Sequence, residues 1–290
     1  MANRYVVFSV FFLLILSSCQ NPDQNPSCDA NSVVNSKIII GTNDWINYGQ
    51  TGDDPQNANE RTVAQVKIPA LMASCSGFLI NSTTLMTNNH CIGSANSAVN
   101  VTALFREPDG TRETFVCNEF IMTSSLYDFT LVKCKNNPGL KYGWVGLSKE
   151  KPVQYSRLYL IQENCDYIAN PRCTLNKYVS FGEVLRSLSS IMYHNADTLG
   201  GSSGSPIFSE DTHQVLSIHN AGSPPTSTSP AMNQGVPMYQ IRSAIEAKQN
   251  IIIHEFGTAS NYSDTSEPVQ VDEPEIPATD VQDVCLSSPS

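Results

Sequence analysis

The sequence predicts an all-β fold, and three observations carry that prediction. Apolar runs of strand length recur along the chain. They are rich in Val, Ile, Thr, Phe and Tyr, and glycines or Asn/Asp/Pro clusters separate them. From Lys37 onward the runs are 37–40 (KIII), 62–68 (TVAQVKI), 75–80 (CSGFLI), 84–87 (TLMT), 101–105 (VTALF), 114–117 (TFVC), 129–134 (FTLVKC), 157–161 (RLYLI) and 178–185 (YVSFGEVL). No regular helical pattern separates them, which points to a sandwich or barrel. Near the end, Val236 to Ala247 places Met238, Ile241 and Ile245 at i, i+3 and i+7, the period of a helix.

The flanks differ from this middle. Arg4 precedes an apolar run from Tyr5 to Leu16, which reads as an export signal over residues 1–18 and is too short for a membrane span. It ends in Leu16-Ser17-Ser18-Cys19, similar to the bacterial lipobox, so Cys19 is the expected lipidation site and first mature residue. Gln20 is not the aspartate that retains such proteins at an inner membrane. An outer-membrane or surface lipoprotein is therefore the expectation for a Gram-negative cell. Residues 19–36 read as a polar tether or pro-segment, and 37–256 as the folded domain. Residues 257–290 form an acidic tail, with seven Asp or Glu and no Lys or Arg.

Composition excludes some partners. The formal net charge is −10, with 17 basic against 27 acidic residues. A surface of that sign does not suit nucleic acid, and it gives little attraction to anionic lipid. Nine cysteines leave eight once Cys19 is set aside: Cys28, Cys75, Cys91, Cys117, Cys134, Cys165, Cys173 and Cys285. An even number in an exported chain predicts a disulfide framework. Zinc is a weaker reading, because the cysteines lack C-x-x-C spacing. No metal or organic cofactor is expected.

Three segments bear chemistry together. They are Thr87-Asn88-Asn89-His90-Cys91, then Tyr127-Asp128-Phe129-Thr130-Leu131, then Asp197-Thr198-Leu199-Gly200-Gly201-Ser202-Ser203-Gly204-Ser205-Pro206. A serine hydroxyl is a poor nucleophile until a neighbouring base takes its proton, and that base needs a third group to orient it. Ser203, His90 and Asp128 fit those roles. The register Gly-x-Ser-Gly selects Ser203 over Ser202, and Ser205 reads as structural. The glycines allow a tight turn, from which the N–H groups of Gly201 and Ser203 would face a developing oxyanion.

On these motifs, in the order His, Asp, Ser, the chain resembles the trypsin/chymotrypsin superfamily from about Ile38 to about Ala247. The resemblance is closest to the bacterial glutamyl endopeptidase (V8-like) and lysyl endopeptidase branch. It departs from the common Thr-Ala-Ala-His form with Thr87-Asn88-Asn89-His90. The resemblance implies two six-stranded antiparallel β-barrels with a C-terminal helix, and a monomeric serine endopeptidase acting on peptides or proteins. It also implies a Cys75–Cys91 bridge around the histidine loop. Cys117–Cys134 and Cys165–Cys173 are the sensible local pairs, which leaves Cys28 with Cys285.

Specificity stays open between two readings, Glu (or Asp) before the cut and Lys or Arg there. Glutamate-specific relatives carry a histidine matching His219 and a threonine or serine matching Thr198, while Gly222 lies on the strand expected to form one pocket wall. Asp197 supports the rival, because trypsin has an aspartate there that pairs with substrate Lys or Arg, and a carboxylate in the pocket would repel glutamate. In relatives a freed amino group can complete the pocket. A chain lipidated at Cys19 has none there unless it is cut again near Lys37 or Ile38, which would also release it from the membrane. An inactive surface binding protein on the same fold is the non-enzymatic alternative.

Overall fold

The computed structural model describes residues 38–47, 49, 54–164, 176–227 and 230–247. The expected signal, lipidation site, tether and acidic tail lie outside these residues, as do Cys28, Cys165, Cys173 and Cys285.

Two antiparallel sheets make the architecture. The first contains β2 (Val63–Ile68), β3 (Ala73–Leu79), β4 (Thr84–Thr87), β5 (Thr102–Arg106), β6 (Arg112–Val116), β7 (Glu119–Ser124) and β8 (Phe129–Lys133), in the order β6-β5-β2-β3-β4-β8-β7. The second contains β1 (Ile46–Asn47), β9 (Arg157–Asn164), β10 (Asn176–Ser187), β11 (Met192–His194), β12 (Pro206–Ser209), β13 (Val215–Ser223) and β14 (Met232–Pro237). Its order is β1-β10-β11-β14-β13-β12-β9, and β9 pairs back onto β10. Six of its strands thus form a closed barrel with β1 added at one side, and closure removes the unpaired edges a flat sheet would expose.

The first sheet is a half-barrel, and the two together match the expected double barrel. The half-barrel is a curled sheet of seven strands whose edge strands β6 and β7 are joined by chain continuity. At that seam Cys117 is disulfide-bonded to Cys134, and the Lys135 N–H donates to the Val116 carbonyl at 2.8 Å. The covalent bond and the short connection close this end.

Alternation along the strands fills three apolar regions. Val66, Leu79, Leu85, Val101, Phe105 and Val132 fill the first sheet's interior, and Leu158, Leu160, Val184, Met192 and Ile207 fill the second's. A third cluster joins the two: Val63, Phe78, Met86 and Phe129 meet Tyr159, Phe208, Ile218, Met238, Ile241 and Ile245. Three of these residues lie on the last helix, α3 (Met238–Glu246). Val236 and Pro237, expected at its start, belong to β14 instead.

Two helices were not legible as helices. Helix α1 (Asp54–Thr62) has one alanine as its only hydrophobic residue, and α2 (Pro138–Tyr142) is a single turn. The buried face of α1 is polar, made of Gln56, Asn59, Glu60 and Thr62. Asn59 donates to the Tyr159 hydroxyl at 2.8 Å and to the His213 carbonyl at 3.1 Å. A hydrophobic period cannot report a face that is buried through hydrogen bonds.

Beside α1 lies a buried ionic group between the sheets. Lys177 of β10 donates to the carbonyls of Glu60 and Val63 at 2.8 and 2.6 Å, and stands 4.0 Å from Glu163, which also pairs with Arg112 at 2.9 Å. Burial holds Lys177 down to about 8 from 10.5, against the pull of Glu163 and Glu60. A base depressed by folding binds fewer protons folded than unfolded between those two values. Its contribution to stability therefore rises with pH across that window and is lost as pH falls through about 8. Thermal denaturation of Lys177→Met beside the parent is expected to show that the parent gains stability relative to the variant from pH 8 towards 10.5. Parallel curves would contradict the depressed ammonium.

Candidate active site

His90 lies three residues beyond the end of β4, and Cys91 beside it is disulfide-bonded to Cys75 of β3. The loop thus closed spans 16 positions, for which chain-entropy arguments give about 3 kcal/mol. Asp128 precedes β8, which pairs with β4 in the register Thr87 opposite Thr130. That register delivers both residues to one end of the sheet. The His90 Nδ1 lies 2.9 and 3.1 Å from the two Asp128 carboxylate oxygens, and the His90 N–H donates to Oδ1 at 3.0 Å. Asp128 has φ +43°, which is costly for a residue with a side chain.

The Asn-Asn pair before His90 supplies the restraint. Asn88 donates its amide to the Asp128 carbonyl at 2.8 Å, and Asn89 donates to the Thr123 hydroxyl of β7 at 2.7 Å. The departure from Thr-Ala-Ala-His therefore adds two side-chain ties. Asn88→Ala is expected to lower kcat about tenfold with little change in KM, since it releases the backbone that aims the carboxylate. An unchanged kcat would show that the ladder alone holds Asp128.

Ser203 sits on the turn leading into β12, half-buried, between Gly201 (φ +103°) and Gly204 (φ +86°). Its carbonyl accepts the Ser76 N–H at 2.8 Å. A Cβ on Gly204 would stand 2.2 Å from the Ser76 carbonyl oxygen and 2.5 Å from the Thr87 hydroxyl, so only glycine fits where the turn meets the strand leading to His90. The closed barrel holds the other side: Gly204 N–H donates to the His219 carbonyl at 2.9 Å, and His219 N–H to the Ser205 carbonyl at 2.8 Å. Ser202 is fully buried, its hydroxyl bonded to the Leu199 carbonyl and to Gln162. Ser205 is also fully buried.

The residues expected around the specificity pocket fall into two groups. Asp197 is buried, and its carboxylate accepts the N–H of Ile40 at 2.7 Å and of Asp44 at 3.4 Å. Burial raises its pKa, and those two bonds act against the rise. Thr198 exchanges both backbone bonds with Ile38 at 3.1 Å, and its hydroxyl donates to Asn233 at 2.9 Å. Gly222 lies against the same segment, where an added Cβ would meet Ile38 Cδ1 and Asn233 Oδ1 at 2.7 Å. The first described residues therefore pack on the base of this region, through Asp197 and Asn233.

His219 is the second group. It is fully buried, and its Nδ1 faces Nε2 of His194 at 3.4 Å. Its Nε2 has no partner among the described residues. Burial lowers its pKa to about 3; His90 adds to the lowering, while the Gln234 backbone and Asp128 oppose it. The ring is neutral. His194 and Asn233, like the Asn88 clamp, were not singled out by sequence reasoning. Each is a lone polar residue whose partner is set by strand pairing, so no local pattern marks it.

Residues 75–218 match the trypsin-like peptidase domain. A secreted RxLR effector protein of Plasmopara viticola is 29% identical over 173 residues, 53% of this chain and 42% of that protein. An extracellular metalloprotease of Bacillus subtilis is 25% identical over 201 residues, 63% of this chain and 62% of that protein. The chain thus spans less than two thirds of the length of these curated relatives. Among the described residues, no group of three or more His, Cys, Asp or Glu is arranged to hold a metal. Among solved structures, a Glu endopeptidase superposes with a TM-score of 0.57 at 20% identity, covering 71% of this chain and 99% of that one. Mouse neuropsin, a serine protease, superposes at 0.52 with 14% identity, covering 66% and 95%. At those identities the superpositions speak for the fold. The chain thus carries a match to the trypsin-like peptidase domain over residues 75–218, and its double sheet has the fold of these proteases.

Proposed function

We propose that the chain is an exported serine endopeptidase that cuts peptide bonds after glutamate, with Ser203 as nucleophile, His90 as base and Asp128 as its orienting carboxylate. The observation that carries the reading is the double hold on the reacting groups. Asp128 grips His90 through both ring and backbone, and the turn of Ser203 is seated against Ser76 and Thr87, the latter ending the strand that leads to His90.

In this reading the Ser203 hydroxyl adds to the scissile carbonyl carbon as its proton passes to the free ring nitrogen of His90. The negative charge on the carbonyl oxygen is met by the N–H groups of Gly201 and Ser203. Collapse breaks the C–N bond, and the leaving amine takes the proton from His90. Water then attacks the acyl-enzyme by the same route, releasing the acid and restoring Ser203. Asp128 stays ionised throughout and stabilises the imidazolium.

Glutamate preference rests on the contrast between His219 and Asp197. With Nδ1 accepting from His194 and the ring proton on Nε2, His219 would turn an unpartnered buried N–H to a substrate carboxylate. The Asp197 carboxylate accepts two backbone N–H groups, which weakens the argument for Lys or Arg preference. Export accords with the two disulfides, since such bonds persist in oxidising compartments. Anchoring through Cys19 at an outer membrane extends the proposal on the strength of the lipobox-like run.

The test is covalent labelling with a fluorophosphonate, with the modified residue located by peptide mass spectrometry. Label on Ser203, lost in His90→Ala, is the expected result. Folded protein that takes no label would favour the inactive binding protein.

A further inference from the structure

Ser76 lies on β3, in the curled sheet, and is fully buried. All of its polar groups are engaged, two of them with the closed barrel or the nucleophile turn. Its N–H donates to the Ser203 carbonyl at 2.8 Å. Its own carbonyl accepts the Thr87 hydroxyl at 2.8 Å. Its hydroxyl accepts the Glu163 N–H of β9 at 2.9 Å and donates to the Gly201 carbonyl at 3.0 Å, with the Glu163 carbonyl a more distant acceptor at 3.3 Å. One residue therefore grips the carbonyls of both Gly201 and Ser203.

We infer that the Ser76 hydroxyl is a positioning residue for the nucleophile turn, holding Gly201 so that the N–H groups of Gly201 and Ser203 converge on one oxyanion. The inference rests on the reading of Ser203 as nucleophile. Its physical basis is the softness of the turn. Gly201 and Gly204 both have positive φ, and glycine imposes no side-chain barrier on either. The Ser76 N–H would grip the Ser203 carbonyl whatever residue stood at 76, because that bond uses backbone alone. The Gly201 grip needs a hydroxyl. The same hydroxyl is fixed from the other side by β9, where Glu163 pairs with Arg112 at 2.9 Å. The turn is thus referenced to both sheets at once, which a backbone contact from either sheet would not achieve.

The experiment compares the parent, Ser76→Ala, Ser76→Thr and Ser203→Ala in full-length chain. The readouts are kcat and KM on a peptide substrate, the rate of fluorophosphonate labelling at Ser203, the pH profile and the melting temperature. Ser76→Ala is expected to lower kcat and the labelling rate together by about tenfold to a hundredfold, with KM changed less than about threefold. The acid limb of the pH profile should stay in place, because the His90–Asp128 contact is untouched. Ser76→Thr, which keeps the hydroxyl, should recover most of the loss. Should the extra methyl prevent folding, the paired fall in kcat and labelling rate, measured per folded Ser76→Ala molecule, decides alone. Parent-like kcat in Ser76→Ala, or a loss confined to KM or to folded yield, would overturn the inference while Ser203-dependent turnover stood. Turnover that survives Ser203→Ala, or a folded parent with neither turnover nor label, would overturn the reading of the site and this inference with it.

Discussion

Ser203→Ala is expected to lower kcat for peptide hydrolysis by about 10,000-fold or more while leaving the fold intact. In the proposed site the neighbouring serines are poorly placed to substitute for Ser203. Ser202 is fully buried and bonded to Leu199 and Gln162, and Ser205 is buried behind the turn. His90→Ala should fall about as far, because the members of such a unit do not contribute additively. Circular dichroism and melting curves for both variants should overlay the parent, since Ser203 is half-buried and the His90 side chain is 42% exposed. Activity in Ser203→Ala within tenfold of the parent would mean that another group carries the reaction.

His219→Ala is the second large effect, and it is selective. A hydrogen bond to a charged group contributes about 1.5–3 kcal/mol, so kcat/KM for a glutamate substrate should fall about tenfold to a hundredfold. The matched glutamine substrate should change by about threefold or less, because it offers no full charge to the buried N–H. The ring stays neutral through the ordinary assay range, with a pKa held at about 3 by burial and by His90. Substrate discrimination should therefore not follow the titration of an ordinary histidine in the free protein. Equal losses on the two substrates would reassign the His219 ring to a structural role, packed against His194.

Much of this molecule is legible in its sequence, for a physical reason. Strands buried on one or both faces repeat apolar residues over short runs, and 62–68, 75–80, 84–87, 101–105, 129–134 and 157–161 all became strands. The N-terminal run 37–40 did not. Of its described residues, Ile38 forms an isolated bridge to Thr198. The His90–Asp128 contact could be expected because a histidine base needs an orienting carboxylate, whichever strands bring the two together. What escaped the sequence depends on partners far along the chain. Helix α1 buries a polar face against Tyr159 and His213, Asn88 clamps a carbonyl on another strand, and Asn233 holds Ile38 and Thr198 together.

Asp197 shows the same limit most clearly. Its position along the chain suggested a pocket for basic side chains, yet its role depends on which groups reach its carboxylate. Those groups are the N–H of Ile40 and Asp44, more than 150 positions away. In this fold the first described residues do part of the work of shaping the region beneath Thr198 and Gly222.

Cleavage of an unbiased peptide library, run with the parent and with Ser203→Ala, tests the account most directly. The account predicts cuts after glutamate in the parent and none in the variant. Cuts after lysine or arginine would keep the triad but contradict the assignment of His219 and the occupied state of Asp197. Folded parent that cuts nothing would contradict the central claim that this site hydrolyses peptides.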